Sequence, residues 1–206
     1  MRAFRFEWNE ATPRVTRRRR GRRVSHPARE APTKGTGTLD ESARIRFVKA
    51  DEWNHAPESY DCPFCRFAGG SYDSLNASTD LVATTMHAFA RVSPKWWPNN
   101  RGHVIIAPVE HFENLYALPS VVGHAVFDLT RAIAVAMRET YGCSGISTRQ
   151  HNEPAGNQDV WHHHVHVFPR YPNDQLYTRH DEAAYVSPEE RAPYSALLRA
   201  HLRLHS

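Results

Sequence analysis

The sequence predicts an α+β fold in which a sheet of short strands carries one long helix on a face. Three features predict it. The 206 residues are 40% hydrophobic and include nine Phe, eight Tyr and five Trp, enough to build a real core. β-Branched or alternating runs recur at 81–92, 103–107, 146–150 and 161–168. One longer stretch, 119–141, repeats its apolar residues at helical spacing.

Residues 1–40 read as a disordered basic tail. Arg17-Arg18-Arg19-Arg20-Gly21-Arg22-Arg23 is a like-charge block followed by Pro, Gly, Thr and Ser, and such segments self-repel and bury little. Residues 1–34 hold 11 Lys/Arg against three acids; that excess of +8 leaves −4 of the overall +4 on the other 172 residues. The body is therefore mildly acidic, which removes the electrostatic argument for nucleic-acid binding except through the tail.

Residues 41–59 are a lead-in, and the compact body starts near Tyr60. Cys62-x-x-Cys65 follows, then a Gly69-Gly70 turn. Leu81–Val92 is a strand or strand pair, with Val82, Thr84 and Met86 alternating, and 94–101, rich in Trp, Pro and Asn, is a loop. His103–Ala107 is a buried strand stopped by Pro108. In the helix Pro119–Tyr141, Val122, Val126, Leu129, Ile133 and Met137 form the apolar stripe, Ser120 caps the start and Gly142 the end. Ile146–Gln150 and Trp161–Phe168 are strands, the second ended by Pro169. Ser187-Pro188-Glu189-Glu190 has the form of a capping box with proline at the first helical position. Pro193 interrupts or restarts that helix, and Leu197, Leu198, Leu202 and Leu204 give it an apolar side, so 173–206 is a C-terminal helical extension.

No apolar run reaches the ~18 residues needed to span a bilayer. Three cysteines cannot make a disulfide framework; the Cys62/Cys65 spacing suits a metal site, with a redox pair as the alternative, and Cys143 reads as a packed thiol. No secretory-type apolar stretch opens the chain and none follows its twin arginines, so a reducing, cytoplasmic setting is expected.

Fourteen histidines are many for this length, and their clustering matters more. In Trp161-His162-His163-His164-Val165-His166-Val167-Phe168, strand alternation would point His162, His164 and His166 one way, with rings roughly 6.5–7 Å apart. Such a row can bind a transition metal. It can also supply a nucleophile with flanking donors, because neutral imidazole attacks phosphorus while neighbouring rings hold the phosphate charge. Asn152, Gly156, Asn157 and Gln158 form a polar turn suited to lining a phosphate, which favours the second chemistry.

The run Gln158-Asp159-Val160-Trp161-His162-x-His164-Val165-His166-Val167-Phe168-Pro169-Arg170 resembles the motif of the histidine triad (HIT) superfamily. Phe89-Ala90-Arg91-Val92-Ser93-Pro94, Gly102-His103-Val104-Ile105-Ile106-Ala107-Pro108 with His111, and Cys62-Pro63-Phe64-Cys65 extend the likeness over about 60–172, in the family's order. The resemblance implies a HIT-like fold: an antiparallel sheet of about five strands, a homodimer, and a catalytic domain over 60–172. It implies that His164 attacks the α-phosphate of a nucleotide conjugate to give a nucleotidyl-histidine, flanked by His162 and His166, with Asn152, Gln158 and His166 on phosphate. It implies a structural Zn²⁺ on Cys62, Cys65, His111 and His162, as in zinc-bearing relatives.

The sequence departs from the pattern at three places. His163 stands at a normally apolar position, Asp159 where relatives often carry Ser or Thr, and Arg91 where some branches place a ribose-binding Asp. The last departure leans toward dinucleoside polyphosphate hydrolases. The expected activity is hydrolysis of such a substrate, the alternatives being transfer to phosphate or a sugar phosphate, or nucleotide binding without catalysis. Lys95, Arg101 and Arg170 are phosphate neighbours or solvated charges, Trp96 and Trp97 cover the core or stack on a base, and His103 is a buried or supporting histidine. His87, His124, His151, His180, His201 and His205 carry no expected site role.

Overall fold

The computed structural model describes residues 50–204; the basic tail expected at 1–40, the first part of the lead-in and residues 205–206 lie outside the described residues. The strands are β1 (Leu81–Thr84), β2 (Ala88–Val92), β3 (Lys95–Trp96), β4 (Val104–Pro108), β5 (Gly145–Gln150), β6 (Val165–Arg170) and β7 (Ala184–Tyr185). Five of them make one antiparallel sheet in the order β1-β2-β4-β6-β5, and β3 pairs with β7 in a small second sheet. The helices are α1 (Pro63–Ala68), α2 (Ser120–Thr140) and α3 (Pro188–Leu204).

Alternation along the strands sorts the sheet into two faces. Ala88, Ala90 and Val92 of β2, Val104 and Ile106 of β4 and Val167 of β6 meet Val126, Leu129, Ile133, Ala136 and Met137 of α2. By length and composition α2 could cross a membrane, but its buried stripe packs on the sheet. The residues between them, Phe89, Ile105 and Ala107, turn to the other face and bury Phe64 and Phe67 of α1. There the register sets Arg91 beside Ile105, Ile105 beside His166 and His166 beside Arg149, one row across four strands.

Several local expectations change. Ser120 does not cap α2: it is the first helical residue, and Pro119, the N-cap, has no side-chain group to bond the free amides there. Gly142 does sit just past the helix with φ +65°, the left-handed turn that suits glycine. The strand expected over 161–168 runs instead from Val165 to Arg170, through Pro169. The Arg170 carbonyl accepts from Ser144 on the β5 side. Pro169 thus turns its backbone the opposite way, past Val167 where β4 pairing stops, and its carbonyl accepts from Asn100 Nδ2 at 2.8 Å. A residue without an N–H fits where no ladder partner waits.

The C-terminal segment is part of the core and not an appendage. α3 runs unbroken through Pro193, which lies on an exposed turn where the freed Glu189 carbonyl can meet water. Its start is the expected reciprocal capping box between Ser187 and Glu190. Leu198 is fully buried and Leu202 half-buried, whereas Leu197 is exposed. Gly102 lets α3 approach: a Cβ there would meet the Tyr194 ring at 2.2 Å. The segment 94–101, expected as loop, contains β3 because Lys95 and Trp96 pair with Tyr185 and Ala184 of that C-terminal segment.

One buried carboxylate fixes α3. Asp80 accepts from Arg191 Nε at 2.7 Å and Nη2 at 2.9 Å, and from Arg91 Nη2 at 3.3 Å, with all three side chains excluded from solvent. Arg91 also bonds Asn76 and the Leu75 carbonyl, so it is a structural pin between the sheet and the 75–80 segment. Asp80→Asn leaves two guanidinium charges short of their counter-charge; a loss of about 3–5 kcal/mol in denaturant unfolding is expected, and a loss under about 1 kcal/mol contradicts the role.

His103, just before β4, is fully buried, stacked on Phe168 at 4.4 Å and edge-on to Trp97 at 5.5 Å. Burial pushes its pKa down to about 3. In the unfolded chain it titrates near 6.5, so between those values the unfolded chain holds the extra proton and stability falls as pH drops from about 6.5 toward 3, by up to about 1.4 kcal/mol per unit. His103→Asn should flatten that acid limb by about one proton, read as the slope of unfolding free energy against pH; an unaltered slope contradicts it.

Candidate active site

Four candidate ligands, two thiols and two imidazoles, gather at the start of α1. Cys62 is the N-cap and Cys65 lies in the first turn, so the helix brings both sulfurs to one end. His111 follows β4, and His162 precedes β6. The ligand atoms of Cys62, Cys65, His111 and His162 all lie within 4.8 Å of one another. Cys62 Sγ is 3.2 Å from His162 Nδ1, and Cys65 Sγ is 3.4 Å from His111 Nδ1 and 3.6 Å from His162 Nδ1. A tetrahedral Zn²⁺ with S and N ligands has edges of about 3.3–3.8 Å, so the spacing fits. The protonation fits too: His162 Nε2 is 3.1 Å from the Pro108 carbonyl, an acceptor only, so Nε2 carries the hydrogen and Nδ1 offers its lone pair to the cluster. Burial and the neighbouring Cys62 push the Cys65 thiol up to about 12, the response of paired thiols with no cation between them.

His162 therefore leaves the row that strict alternation would give. Residues 161–164 are not strand, and its ring faces the thiols and lines neither cavity described below. What it gives His164 is its carbonyl, which accepts from His164 Nδ1 at 2.7 Å. That bond fixes the His164 hydrogen on Nδ1 and leaves Nε2 unprotonated. Burial holds His164 below its ordinary pKa, and His166 well below, so both rings are neutral near pH 7. Their centroids are 4.9 Å apart.

His103 sets the donor on His166. Its Nε2 lies 3.4 Å from His166 Nδ1, and its own buried Nδ1 has no partner among the described residues. A bare acceptor is tolerated better there than a bare N–H. The hydrogen-bond pattern therefore assigns Nε2–H to His103 and Nε2–H to His166, aimed as a donor beside the His164 lone pair. His163 faces away: its N–H donates to the Phe112 carbonyl at 2.6 Å and its ring lies 3.5 Å from Gln150 Nε2.

Two cavities meet at His166 and Asp159. A slot of about 250 Å³ is walled by Phe64, Ile105, Ser93, His103 and His164. A chamber of about 860 Å³ opens on the β5 side, walled by Arg149, His151, Gln158, Phe168, Tyr177 and His180. Lys95 and Trp97 border both. Asp159 is turned outward, its side chain 80% exposed, with Oδ1 4.0 Å from His164 Nε2.

The two other expected phosphate ligands sit differently. Asn152 lines neither cavity; its Oδ1 accepts from the Leu115 N–H at 2.8 Å and Gln150 Nε2 at 3.0 Å. Gln158 borders the chamber, but its side chain is spent on the backbone of Glu113, Val160 and Glu153, holding the 153–160 turn in shape. Arg91, Arg170 and Trp96 serve packing and ion pairs, and Cys143 is a packed thiol. The sequence reading missed Arg149, His151, Tyr177 and His180. Arg149 carried a signal, being on a strand next to the histidine strand, but its place beside His166 needs the register; Tyr177 and His180 are brought in by the β3–β7 pairing.

Residues 75–173 match the HIT domain family. The chain is 27% identical over 111 residues to Protein hit of Bacillus subtilis, covering 54% of this chain and 72% of that one. It is 26% identical over 117 residues to adenylylsulfatase HINT3 of Arabidopsis thaliana, covering 57% and 56%. Its fold is similar to a zinc-bound histidine triad family protein from Mycobacterium smegmatis, with TM-score 0.58, 25% identity and coverage of 70% and 95%. The five-stranded sheet with its long helix, the histidine cluster at the head of β6 and these likenesses together make residues 75–173 a domain of the histidine triad (HIT) family.

Proposed function

We propose that the protein hydrolyses a dinucleoside polyphosphate or a related nucleotide conjugate through a nucleotidyl-histidine at His164. The observation that carries this reading is the bond from His164 Nδ1 to the His162 carbonyl, which leaves Nε2 a free lone pair in the wall of the slot, beside the His166 ring that slot and chamber share. The slot, with Phe64 and Ile105 as apolar walls, suits the flat base and sugar of the nucleotide that stays behind. The chamber takes the rest of the substrate. His164 Nε2 forms a bond to the α-phosphorus while the bond from phosphorus to the leaving oxygen breaks, and that oxygen keeps the electron pair. His166 Nε2–H donates to a phosphate oxygen as charge builds there. Water then attacks the same phosphorus, the N–P bond breaks, His164 recovers its lone pair, and the water proton passes to solvent. Adenylylsulfatase activity in the Arabidopsis thaliana relative supports nucleotide cleavage with an oxyanion as leaving group.

Cys62, Cys65, His111 and His162 would hold a zinc ion. With four protein ligands it has no open position for substrate; it would supply fixed geometry to His162 and hence to the carbonyl that orients His164.

His164→Asn should keep the fold and some nucleotide affinity and lose roughly three orders of magnitude or more in kcat, about 4 kcal/mol. His163→Leu should retain most activity. Acid-quenched wild type incubated with labelled substrate should carry the nucleotidyl group on His164. A label elsewhere, or near-normal turnover by His164→Asn, sinks the reading, and nucleotide binding without any turnover by wild type makes the protein a binder.

Freshly purified protein should contain one zinc per chain by elemental analysis. Chelation should lower its unfolding free energy by at least about 2.7 kcal/mol, the linkage expected from free metal at a hundred times Kd. Metal-free protein of undiminished stability would reject the site.

A further inference from the structure

Arg91, Ile105, His166 and Arg149 form one row across the sheet, with a guanidinium at each end. The two ends are treated differently. Arg91 is buried, and Asp80 compensates its charge. Arg149 is only half-buried, and among the described residues no carboxylate pairs with it and no protein acceptor takes its N–H groups. It is held by aromatic rings instead: Tyr177 at 4.8 Å, Phe168 at 5.3 Å and Trp97 at 5.8 Å from its central carbon. The neighbouring cation over Tyr177, Arg170, is spent on Asp174 through bonds of 2.6 and 2.8 Å.

A guanidinium stacked by aromatic rings keeps its in-plane N–H fork for a ligand, and that fork matches planar or tetrahedral oxyanions two oxygens at a time. Arg149 borders the 860 Å³ chamber and not the slot. Cross-strand neighbours have Cβ atoms about 4.5–5.5 Å apart, so Arg149 stands one side chain beyond His166, on the side away from the slot. Its charge also reaches the buried rings of His166 and His103 and helps hold both neutral. Lys95 adds a second cation at the chamber's rim.

We propose that Arg149 anchors a second oxyanion of the substrate, carried by the leaving group one step beyond the attacked phosphorus. The inference rests on the hydrolase reading above and narrows it. The preferred substrates are anhydrides whose leaving group is itself a phosphate or another oxyanion, and conjugates with an uncharged leaving group are poor ones. Arg149 acts as a specificity residue: it draws the leaving group into the chamber and steadies the charge that group takes away.

The test compares wild type with Arg149→Met, which keeps an apolar side chain among the rings, and with Arg149→Lys, which keeps the charge and loses the fork. Two adenylate probes are used: diadenosine triphosphate, which expels an anionic nucleotide, and adenosine 5′-phosphoramidate, which expels ammonia. The ratio of kcat/KM for the first over the second should fall at least tenfold in Arg149→Met and less in Arg149→Lys; an unaltered ratio overturns the proposal. Calorimetry supplies an arm that needs no turnover. Wild type should bind ADP more tightly than AMP, and Arg149→Met should erase the difference; no preference in wild type also overturns the proposal. If wild type binds ADP through Arg149 yet cleaves neither probe, the hydrolase reading fails and the anion site stands. If it cleaves both with no dependence on Arg149, the anion site fails alone. Arg149→Gln replaces any variant that lacks a cooperative unfolding transition.

Discussion

The site depends on how His162 divides its polar groups. Its Nδ1 turns to the Cys62 and Cys65 sulfurs, its Nε2–H bonds the Pro108 carbonyl at the end of β4, and its carbonyl takes the His164 Nδ1 hydrogen. One residue thereby joins the thiol-imidazole cluster, the central sheet and the nucleophile. The geometry requires the chain to leave strand conformation over 161–164. Had that segment continued as β strand, His162 would point into the cavity and the thiols would lose a ligand. The irregular backbone is what allows two neighbouring even-numbered histidines to serve different groups.

Beyond that junction the sheet does the positioning. Its α2 face is apolar and closely packed, so strand register is firmly set: a slip of one residue would bury His166 and Arg149 against Ile133 and Met137. The opposite face inherits its chemistry from the same register. Arg91, Ile105, His166 and Arg149 are neighbours only because Ala90, Ile106 and Val167 must face α2. Packing on one side thus specifies the site on the other.

The C-terminal segment closes the arrangement at two points. Asp80 ties Arg191 of α3 to Arg91 of the row, and the β3–β7 pairing carries Tyr177, His180 and Tyr185 to the cavity walls. Buried ion pairs contribute modest net stability but strict geometry, because either charge alone is expensive to bury. The slot is therefore shaped by residues more than a hundred positions apart in the chain.

By itself the sequence determined the elements whose signal is local. The stripe of α2, the strand character of β2, β4 and β5, the Ser187–Glu190 capping box, the Cys62/Cys65 pair and the histidine cluster all follow from short-range spacing. His111, far from the other three ligands in the chain, follows from the motif likeness and not from spacing. Tertiary structure decided the rest. Ser120 yielded its cap position because the chain enters α2 extended at Pro119, and Pro169 entered a strand because β4 stops short of it. Asn152 and Gln158 bond backbone groups of the 113–115 segment, and the Gln158 amide, being buried, must be satisfied whether or not a ligand arrives. Arg149 reached His166 through a register that spacing within one strand cannot encode. Periodicity fixes which way a side chain faces along its own element; which neighbour it meets depends on how that element pairs with others far away in the chain, and that was settled by the packing of the common core.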